Sequence, residues 1–327
     1  MSKSESEQSI MKLSICVLAH NEEDEIGRCL DSVVAAGLSR EDVVHIVVNG
    51  SRDNTENIVR AVASLDPRIR LHTLELGDKA NAWDHYTFNV DHEGIQGHVF
   101  VDADVRIRQG SLSAIKAALA VQSEAIAFST LPYGGRISDG WRKKMLSQGG
   151  FAGNFYALKQ DTLLQIIDEN WHLPVGLIGD DTFLKWILRR GFDPNAPDRA
   201  ALAQLLPGAG FDYDSFSMTS FSGLRSMVKR QATYALRDLQ VYLVVRHLRR
   251  NAQSHANDKN GQRLPRQISD LYEEVPFWGQ LASPFGFSRL VARKILFPYT
   301  WLRARAMAGR PLTPSWYQIS PQKLNGS

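Results

Sequence analysis

The sequence predicts an α/β fold built on a parallel, doubly wound sheet, and three observations predict it. Short apolar or β-branched runs recur through the first 130 residues, at LSICVLA (13–19), VVHIVV (43–48) and HVFV (98–101). Segments with helical spacing of apolar residues lie between them. The polar residues that look out of place gather just past the ends of those runs. Strand and helix patterns alternating at this spacing give parallel strands joined by crossover helices. Ligands in such sheets bind beyond the carboxyl ends of the strands, so chemistry is expected just after residues 19, 48, 76 and 101.

Each element has its own justification. Leu13 to Ala19 is continuously apolar, as a strand buried on both faces is. Glu22 to Ala36 carries Ile26, Leu30, Val33 and Val34 at helical spacing, and Gly37 is placed to close it. Val43 to Val48 is β-branched and reads as a second strand. Asp53 precedes a helix carrying Ile58, Val59 and Val62, which Pro67 ends. Ile69 to Leu76 alternates as a strand does, and Lys79 begins the next helix. His98 to Val101 is a short strand stopped by Asp102. Ser111 to Gln122 reads as a helix capped by Ser111, and Ala125 to Thr130 as a strand. The stretch 131–180 mixes Gly, Pro and aromatic residues with short helical runs, with PYGGRISDG loop-like and a helix around Gln160 to Glu169. Asp181 to Gly191 is a helix ended by glycine, and 193–210 a strand with a loop. From Gly223 to about Arg250 the pattern is helical and basic, followed by a polar segment with an exposed loop at NDKNGQ.

Composition narrows the function classes. The chain has 327 residues, 43% hydrophobic and 22% charged, ordinary values for a globular protein. No window holds the roughly 18 apolar residues of a membrane-spanning helix. MSKSESEQSI at the start is polar and acidic, which argues against a secretory signal and for a disordered tail over 1–10. Cys16 and Cys29 read as small buried hydrophobes, with no disulfide framework. A reducing, cytoplasmic setting is expected. The net charge of +3 hides an asymmetry: residues 1–224 hold 21 basic and 30 acidic side chains, residues 225–310 hold 16 and 5. The C-terminal part is therefore expected either to meet an anionic partner or to complement the acidic half with a solvated face. FSRLVARKILFPYTWLRARAM interleaves basic and aromatic residues in a way that suits a membrane interface, as does packing on the core with arginines outward. Nucleic acid, a pyrophosphate-bearing lipid and an anionic membrane surface through 225–310, met peripherally on the cytoplasmic face, are the anionic partners such a region would suit.

Five segments carry chemistry. In VFVDADV, Asp102 and Asp104 flank Ala103 at a strand end. Two carboxylates one residue apart on an extended chain share a side, and a hard divalent ion takes such oxygens together with substrate phosphates. Strand-end turn residues would look the same. AHNEEDE places His20, Asn21 and Glu22 where a nucleotide reaches the first strand's exit, although Asn21 would also serve as a plain helix cap. VVNGSRDNT offers Gly50 for a tight turn and Asp53 for a cap. GDKANAWDH sets the Lys79 ammonium near phosphates or carboxylates, or simply on the surface. LIGDDTFLKWILRRG puts Asp180 and Asp181 at a helix start, as a cap or as a general base for an acceptor hydroxyl.

In this order the five segments resemble the family 2 glycosyltransferases, over about residues 11–195, with GNFYALK at 153–159 as a further matching segment. The resemblance implies the GT-A fold, a Rossmann-like, mostly parallel sheet flanked by helices, here with a basic helical C-terminal extension. It implies a catalytic domain over 11–222, with a nucleotide-sugar half (about 11–130) and an acceptor half (about 131–222), then a basic helical region over 223–327. It implies an inverting enzyme of the hexosyltransferase class (EC 2.4), moving a sugar from a nucleoside diphosphate, UDP foremost, to a hydroxyl of a glycan or lipid-linked acceptor, in cell-surface polysaccharide or glycolipid synthesis. It assigns donor contacts to Ala19, His20, Asn21, Glu22, Asn49, Asp53, Lys79, Asp102 and Ala103. It assigns a Mg or Mn ion to Asp104 and Asp102, with Asp104 the closer ligand, and the base to Asp181, with Asp180 beside it.

Departures from the family pattern are plain. Asn49 stands where the family often has aspartate, and D-D replaces E-D at 180–181. The Q-x-x-R-W of processive members is missing: the nearest segment is Gln231–Ala232–Thr233–Tyr234–Ala235, which favours single addition. Two rival readings remain. A sugar-phosphate nucleotidyltransferase would need a glycine- and arginine-rich loop where HNEEDE stands. A non-enzymatic nucleic-acid-binding module would rest on 225–310, where no recognised motif occurs, so no specific nucleic acid is expected.

Overall fold

The apolar run Leu13–Ala19 forms β1, buried along its whole length, because both faces of the sheet are covered. Ile15, Val17 and Ala19 enter the apolar layer beneath one set of helices. Cys16 and Leu18 enter the layer on the other face. In the computed structural model residues 11–135, 137–214, 221–254 and 263–273 are described. Within them β1 pairs in parallel with β2 (Val43–Asn49) on one side and with β4 (Gly97–Asp102) on the other, and β2 pairs in parallel with β3 (Ile69–Leu74). The crossovers are α1 (Ile26–Ala35), α2 (Thr55–Leu65) and α3 (Lys79–Asn89).

Beyond β4 the sheet becomes mixed. β7 (Phe155–Lys159) lies antiparallel to both β4 and β6 (Ala127–Pro132), β8 (Ala203–Tyr213) runs parallel to β6, and the short β5 (Val105–Ile107) lies antiparallel to β8. The strand order is β3-β2-β1-β4-β7-β6-β8-β5. The parallel pairing expected from the alternating first 130 residues holds for β1 to β4. The departure begins where β7 fills the space between β4 and β6 in the reverse direction. α4 (Ser111–Ala120), α5 (Ser138–Gln148), α6 (Gln160–Asp168), α7 (Asp180–Leu188), α8 (Phe221–Ser254) and α9 (Asp270–Glu273) complete the described helices.

Three local expectations change. The helix expected from Glu22 starts at Ile26, because residues 22–25 form a turn in which the Glu22 carbonyl accepts from the Glu25 and Ile26 amides. Ser111 does not cap α4: it lies inside the helix after Gly110 (φ +78°), and its hydroxyl exchanges hydrogen bonds with the Gly210 backbone. The segment PYGGRISDG, expected as loop, ends inside α5, a helix of low apolar content that periodicity does not reveal. Cys16 and Cys29 are free and buried. Among the described residues no helix is long and apolar enough to cross a membrane. The aromatic and basic stretch 285–309 and the NDKNGQ loop's residues 257–262 lie outside the described residues.

Candidate active site

The exits of β1, β2 and β4 and the start of α3 meet around one cleft of about 240 Å³, lined by Leu18, His20, Glu22, Asn49, Gly77, Lys79, Asp102, Ala103 and Asp104. The cleft sits at the carboxyl edge of the parallel strands, where the topology places ligand sites.

Its floor is fixed by backbone closeness. Gly50 has φ +58°, and a Cβ there would lie 2.2 Å from the Gly77 amide nitrogen. A Cβ on Gly77 would fall 2.6 Å from Cε1 of His20. The loops after β2 and β3 therefore close beneath the His20 ring only because both positions lack side chains. The ring itself is oriented from two sides: Nδ1 lies 2.5 Å from the Asn49 carbonyl, and Nε2 lies 3.0 Å from Nδ2 of Asn21. A carbonyl only accepts, so Nδ1 carries the proton and Nε2 accepts from the Asn21 amide. The Asn49 amide donates to the Ala19 carbonyl at 2.8 Å, which ties β2 to β1 at the rim.

Several residues expected at the donor site fasten loops and do not line the cleft. Asn21, at φ +55°, accepts from the Arg52 amide at 2.8 Å. Asp53 accepts from the Thr55 amide and hydroxyl and from the Glu23 amide, at 3.1, 2.6 and 3.1 Å. Ala19 offers its carbonyl to Asn49. These contacts shape the loop edges around His20 and Glu22.

The charged centre is Lys79. Its Nζ lies 2.7 Å from Oδ1 of Asp102 and 3.6 Å from Oδ2 of Asp180, with side-chain exposures of 35%, 20% and 11% for the three residues. One ammonium thus joins the end of β4 to the start of α7. Nδ2 of Asn154 donates to the other Asp102 oxygen at 3.1 Å, so Asp102 is engaged on both sides. Asp104 occupies the turn after β4, exposed at the cleft mouth. Asp181 is half-buried: its Oδ1 accepts from the Thr182 amide at 2.6 Å, and its Cβ packs where a Cβ on Gly153 would fall within 2.2 Å.

Electrostatics follow from this crowding. Burial pushes the Glu22 carboxyl up to about 7, reinforced by Asp104, Glu25 and Asp102. Burial also raises Asp102, and the partial desolvation of Asp104 by the surrounding cleft raises it too, each against the pull of Lys79. Burial takes Asp180 to about 6, again opposed by Lys79. Lys79 itself loses hydration, but Asp102 and Asp180 outweigh that loss and hold it charged. A pocket with several carboxylates and a single lysine has an unmet demand for positive charge. The described residues contain no group of three or more His, Cys, Asp or Glu side chains arranged to chelate a metal. A cation here would take one or two protein carboxylates and complete its shell with water or substrate oxygens, which is Mg²⁺ or Mn²⁺ behaviour.

Two positioning residues escaped sequence reasoning. Asn154 lies in the GNFYALK segment without a role until β7 brings it against Asp102. Asp78 caps α3 through the Asn81 amide at 2.8 Å, and its second oxygen takes the Gly176 amide at 2.8 Å. The capping preference of aspartate just before a helix start was a signal for the first contact. Nothing local signals the second.

Comparisons with known proteins bear on this geometry. The family model described as glycosyl transferase family 2 matches residues 14–225. No curated protein matches. Among solved structures, a mannosyltransferase from Pyrobaculum calidifontis in complex with GDP-Man and Mn²⁺ is 18% identical, covering 92% of this chain and 76% of its own, with a TM-score of 0.52. S. aureus TarS 1–349 in complex with UDP-GlcNAc is 15% identical (91% and 84% covered, TM-score 0.49). Glucosyl-3-phosphoglycerate synthase from Mycobacterium tuberculosis, with Mn²⁺, UDP and glucosyl-3-phosphoglycerate, is 20% identical (70% and 80% covered, TM-score 0.47). The chain shares its fold with the first of these.

Proposed function

The chain belongs to glycosyl transferase family 2 and has the GT-A fold, and from that premise we propose that it transfers a sugar, with inversion, from a nucleoside diphosphate to an acceptor hydroxyl bound beside α7. The observation that carries the proposal is Lys79 joining Asp102 to Asp180 at the rim of a carboxylate-rich cleft. The catalytic unit in this reading is 11–222.

The donor's nucleotide lies along the exits of β1 and β2, against His20, Glu22 and Asn49, with its diphosphate toward Lys79 and Asp104. Asp104 with Asp102 would hold a Mg²⁺ or Mn²⁺ ion; the carboxylate excess supports that fit, and Asp104 is the freer ligand because Lys79 and Asn154 engage Asp102. Such an ion, when bound, stabilises charge developing on the departing diphosphate. The acceptor hydroxyl gives its proton to Asp181, which is half-buried and reachable, while the more buried Asp180 holds Lys79. The oxygen then attacks the anomeric carbon from the face opposite the diphosphate. Placing both substrates in one cleft supplies much of the acceleration through positioning. UDP-sugars come first among donors to test, GDP-sugars second, and a glycan or lipid-linked hydroxyl is the acceptor class, in cell-surface polysaccharide or glycolipid synthesis. Peripheral contact with an anionic membrane through 225–310 would bring a lipid-linked acceptor within reach.

Thermal-shift screening of nucleoside diphosphates and their sugars, with and without Mn²⁺ or Mg²⁺, tests this. Ligands that bind the native state raise Tm by mass action. A shift for one nucleoside diphosphate that EDTA removes supports the reading. No shift with any of them, metal present, refutes it.

A further inference from the structure

We propose that Gln240, on α8, is a positioning residue for the α7 carboxylates, and that the helix after the sheet is thereby part of the catalytic apparatus. The inference rests on the transfer reading for what the carboxylates do, and on geometry alone for how they are held.

Gln240 is wholly buried. Its Oε1 accepts from the Ile178 amide at 2.8 Å, and its Nε2 donates to the Gly176 carbonyl at 2.9 Å. Opposite, the Gly176 amide donates to Asp78, the residue before Lys79. The peptide at 176–178 is thus gripped from α3 on one side and from α8 on the other, two residues before Asp180. The next residue is held by shape. A Cβ on Gly179 would lie 2.6 Å from Cγ of Arg237 and 2.7 Å from Cγ2 of Val241, so α8 rests directly on the backbone that starts α7.

The arrangement explains why a glutamine is buried there. An amide side chain offers one donor and one acceptor at a fixed separation, matching a backbone carbonyl and amide two residues apart. An aliphatic residue of similar size would leave both backbone groups unpaired in the interior, a costly outcome. Because Lys79 answers to Asp102 and to Asp180 together, a small movement of residues 176–180 changes the distance from Lys79 to Asp180 without altering the β4 end. Loss of the clamp is therefore expected to leave nucleotide binding intact and to impair the step that needs the α7 carboxylates.

The test compares Gln240→Leu and Gly179→Ala with Val244→Ala. Val244 is also fully buried on α8 and has no part in the clamp, so its variant reports loss of packing alone. Three measurements are made on the full chain: urea stability, calorimetric binding of UDP and of GDP with Mn²⁺, and nucleoside diphosphate release from UDP-glucose, UDP-GlcNAc and GDP-mannose. Hydrogen exchange at the amides of 176–182 is followed alongside. Gln240→Leu is expected to lower kcat for release at least tenfold, with Kd changed less than threefold, and to speed exchange at Ile178 and its neighbours. Val244→Ala, at equal or greater loss of stability, is expected to keep kcat within threefold and exchange near wild type. Equal effects of Gln240→Leu and Val244→Ala on kcat and on exchange, or a Gly179→Ala variant that leaves both unchanged, overturn the proposal. Wild-type protein that releases no diphosphate from any of the donors instead sinks the transfer reading, and the exchange comparison alone then decides the clamp.

Discussion

Below about pH 6 a set of histidines held in neutral form beneath α3 should cost stability, and replacing one of them should make the protein more resistant to acid. His45 on β2, His72 on β3 and His85 on α3 form a chain: Nδ1 of His45 lies 2.9 Å from Nε2 of His72, and Nδ1 of His72 lies 3.1 Å from Nε2 of His85. Each link needs one N–H and one lone pair, so a proton on His72 is accommodated whereas protons on two neighbours set N–H against N–H. Nε2 of His45 is buried without a hydrogen-bond partner. Nearby, His98 touches the Tyr86 hydroxyl and Gln160. Burial holds His45 at about 2, His72 at about 4 and His98 at about 3, with His85 and His92 also lowered.

The sign follows from linkage. These groups stay neutral in the native state and charge in the unfolded chain, so their stabilisation is complete above the unfolded value near 6.5 and is lost as pH falls below it. Three carboxylates act oppositely: Glu22 near 7, Asp84 near 6 and Asp180 near 6 bind protons in the native state first. The histidines favour proton uptake on unfolding, whereas these carboxylates, together with Asp78, Asp102 and Asp104, which burial also raises, favour proton release, so the two sets offset one another. At about 1.4 kcal/mol per proton and pH unit, each histidine held neutral in the native state costs about that much stability per unit between about pH 6 and 5. Urea unfolding of the metal-free chain at half-unit steps from pH 7.5 to 4.5 measures this. Replacing His45 by Gln should flatten the slope by about 1.4 kcal/mol per unit. An unchanged slope in the variant would refute the reasoning.

Other expectations concern the cleft. Asp104→Asn should abolish the metal-dependent Tm shift with nucleoside diphosphates while leaving urea stability within about 0.5 kcal/mol, the range for an exposed turn position. Asp181→Asn should reduce diphosphate release by about 10²-fold or more, as loss of a general base does, with donor Kd unchanged by calorimetry; equal loss of binding would point instead to a structural role. Lys79→Met leaves Asp102 and Asp180 without their shared cation. Breaking a buried pair costs about 3–5 kcal/mol, so with the lysine one-third exposed a loss of about 1–3 kcal/mol at pH 7 is expected in urea. That loss should shrink as pH falls and Asp180 protonates.

How far the sequence could be read depends on whether a signal was local. Strands β1 to β4 and their crossover helices announced themselves through continuous apolar runs and helical spacing, because a sheet covered on both faces demands such residues. The clustering of His20, Glu22, Asn49, Lys79 and the Asp102–Asp104 pair also followed, since parallel topology delivers every strand exit to one edge. What stayed hidden depended on residues far apart in the chain. α5 has no apolar stripe, and β7 runs in the reverse direction between β4 and β6, which no periodicity reports.

The amino-acid order by itself determined the α/β class, the sheet edge where the cleft lies and the family whose motifs that edge carries, all consequences of hydrophobic patterning and short-range geometry. Only the tertiary structure decided that Asp102 faces a lysine and an asparagine, that Asn21 and Asp53 fasten loops, and that Gln240 holds the peptide before Asp180. Those outcomes are pairings between side chains 23 to 101 positions apart (Asp102 with Lys79, Lys79 with Asp180) or between α8 and a loop some 60 residues earlier. Burial and hydrogen-bond satisfaction choose such partners in three dimensions, and neither leaves a trace in local sequence.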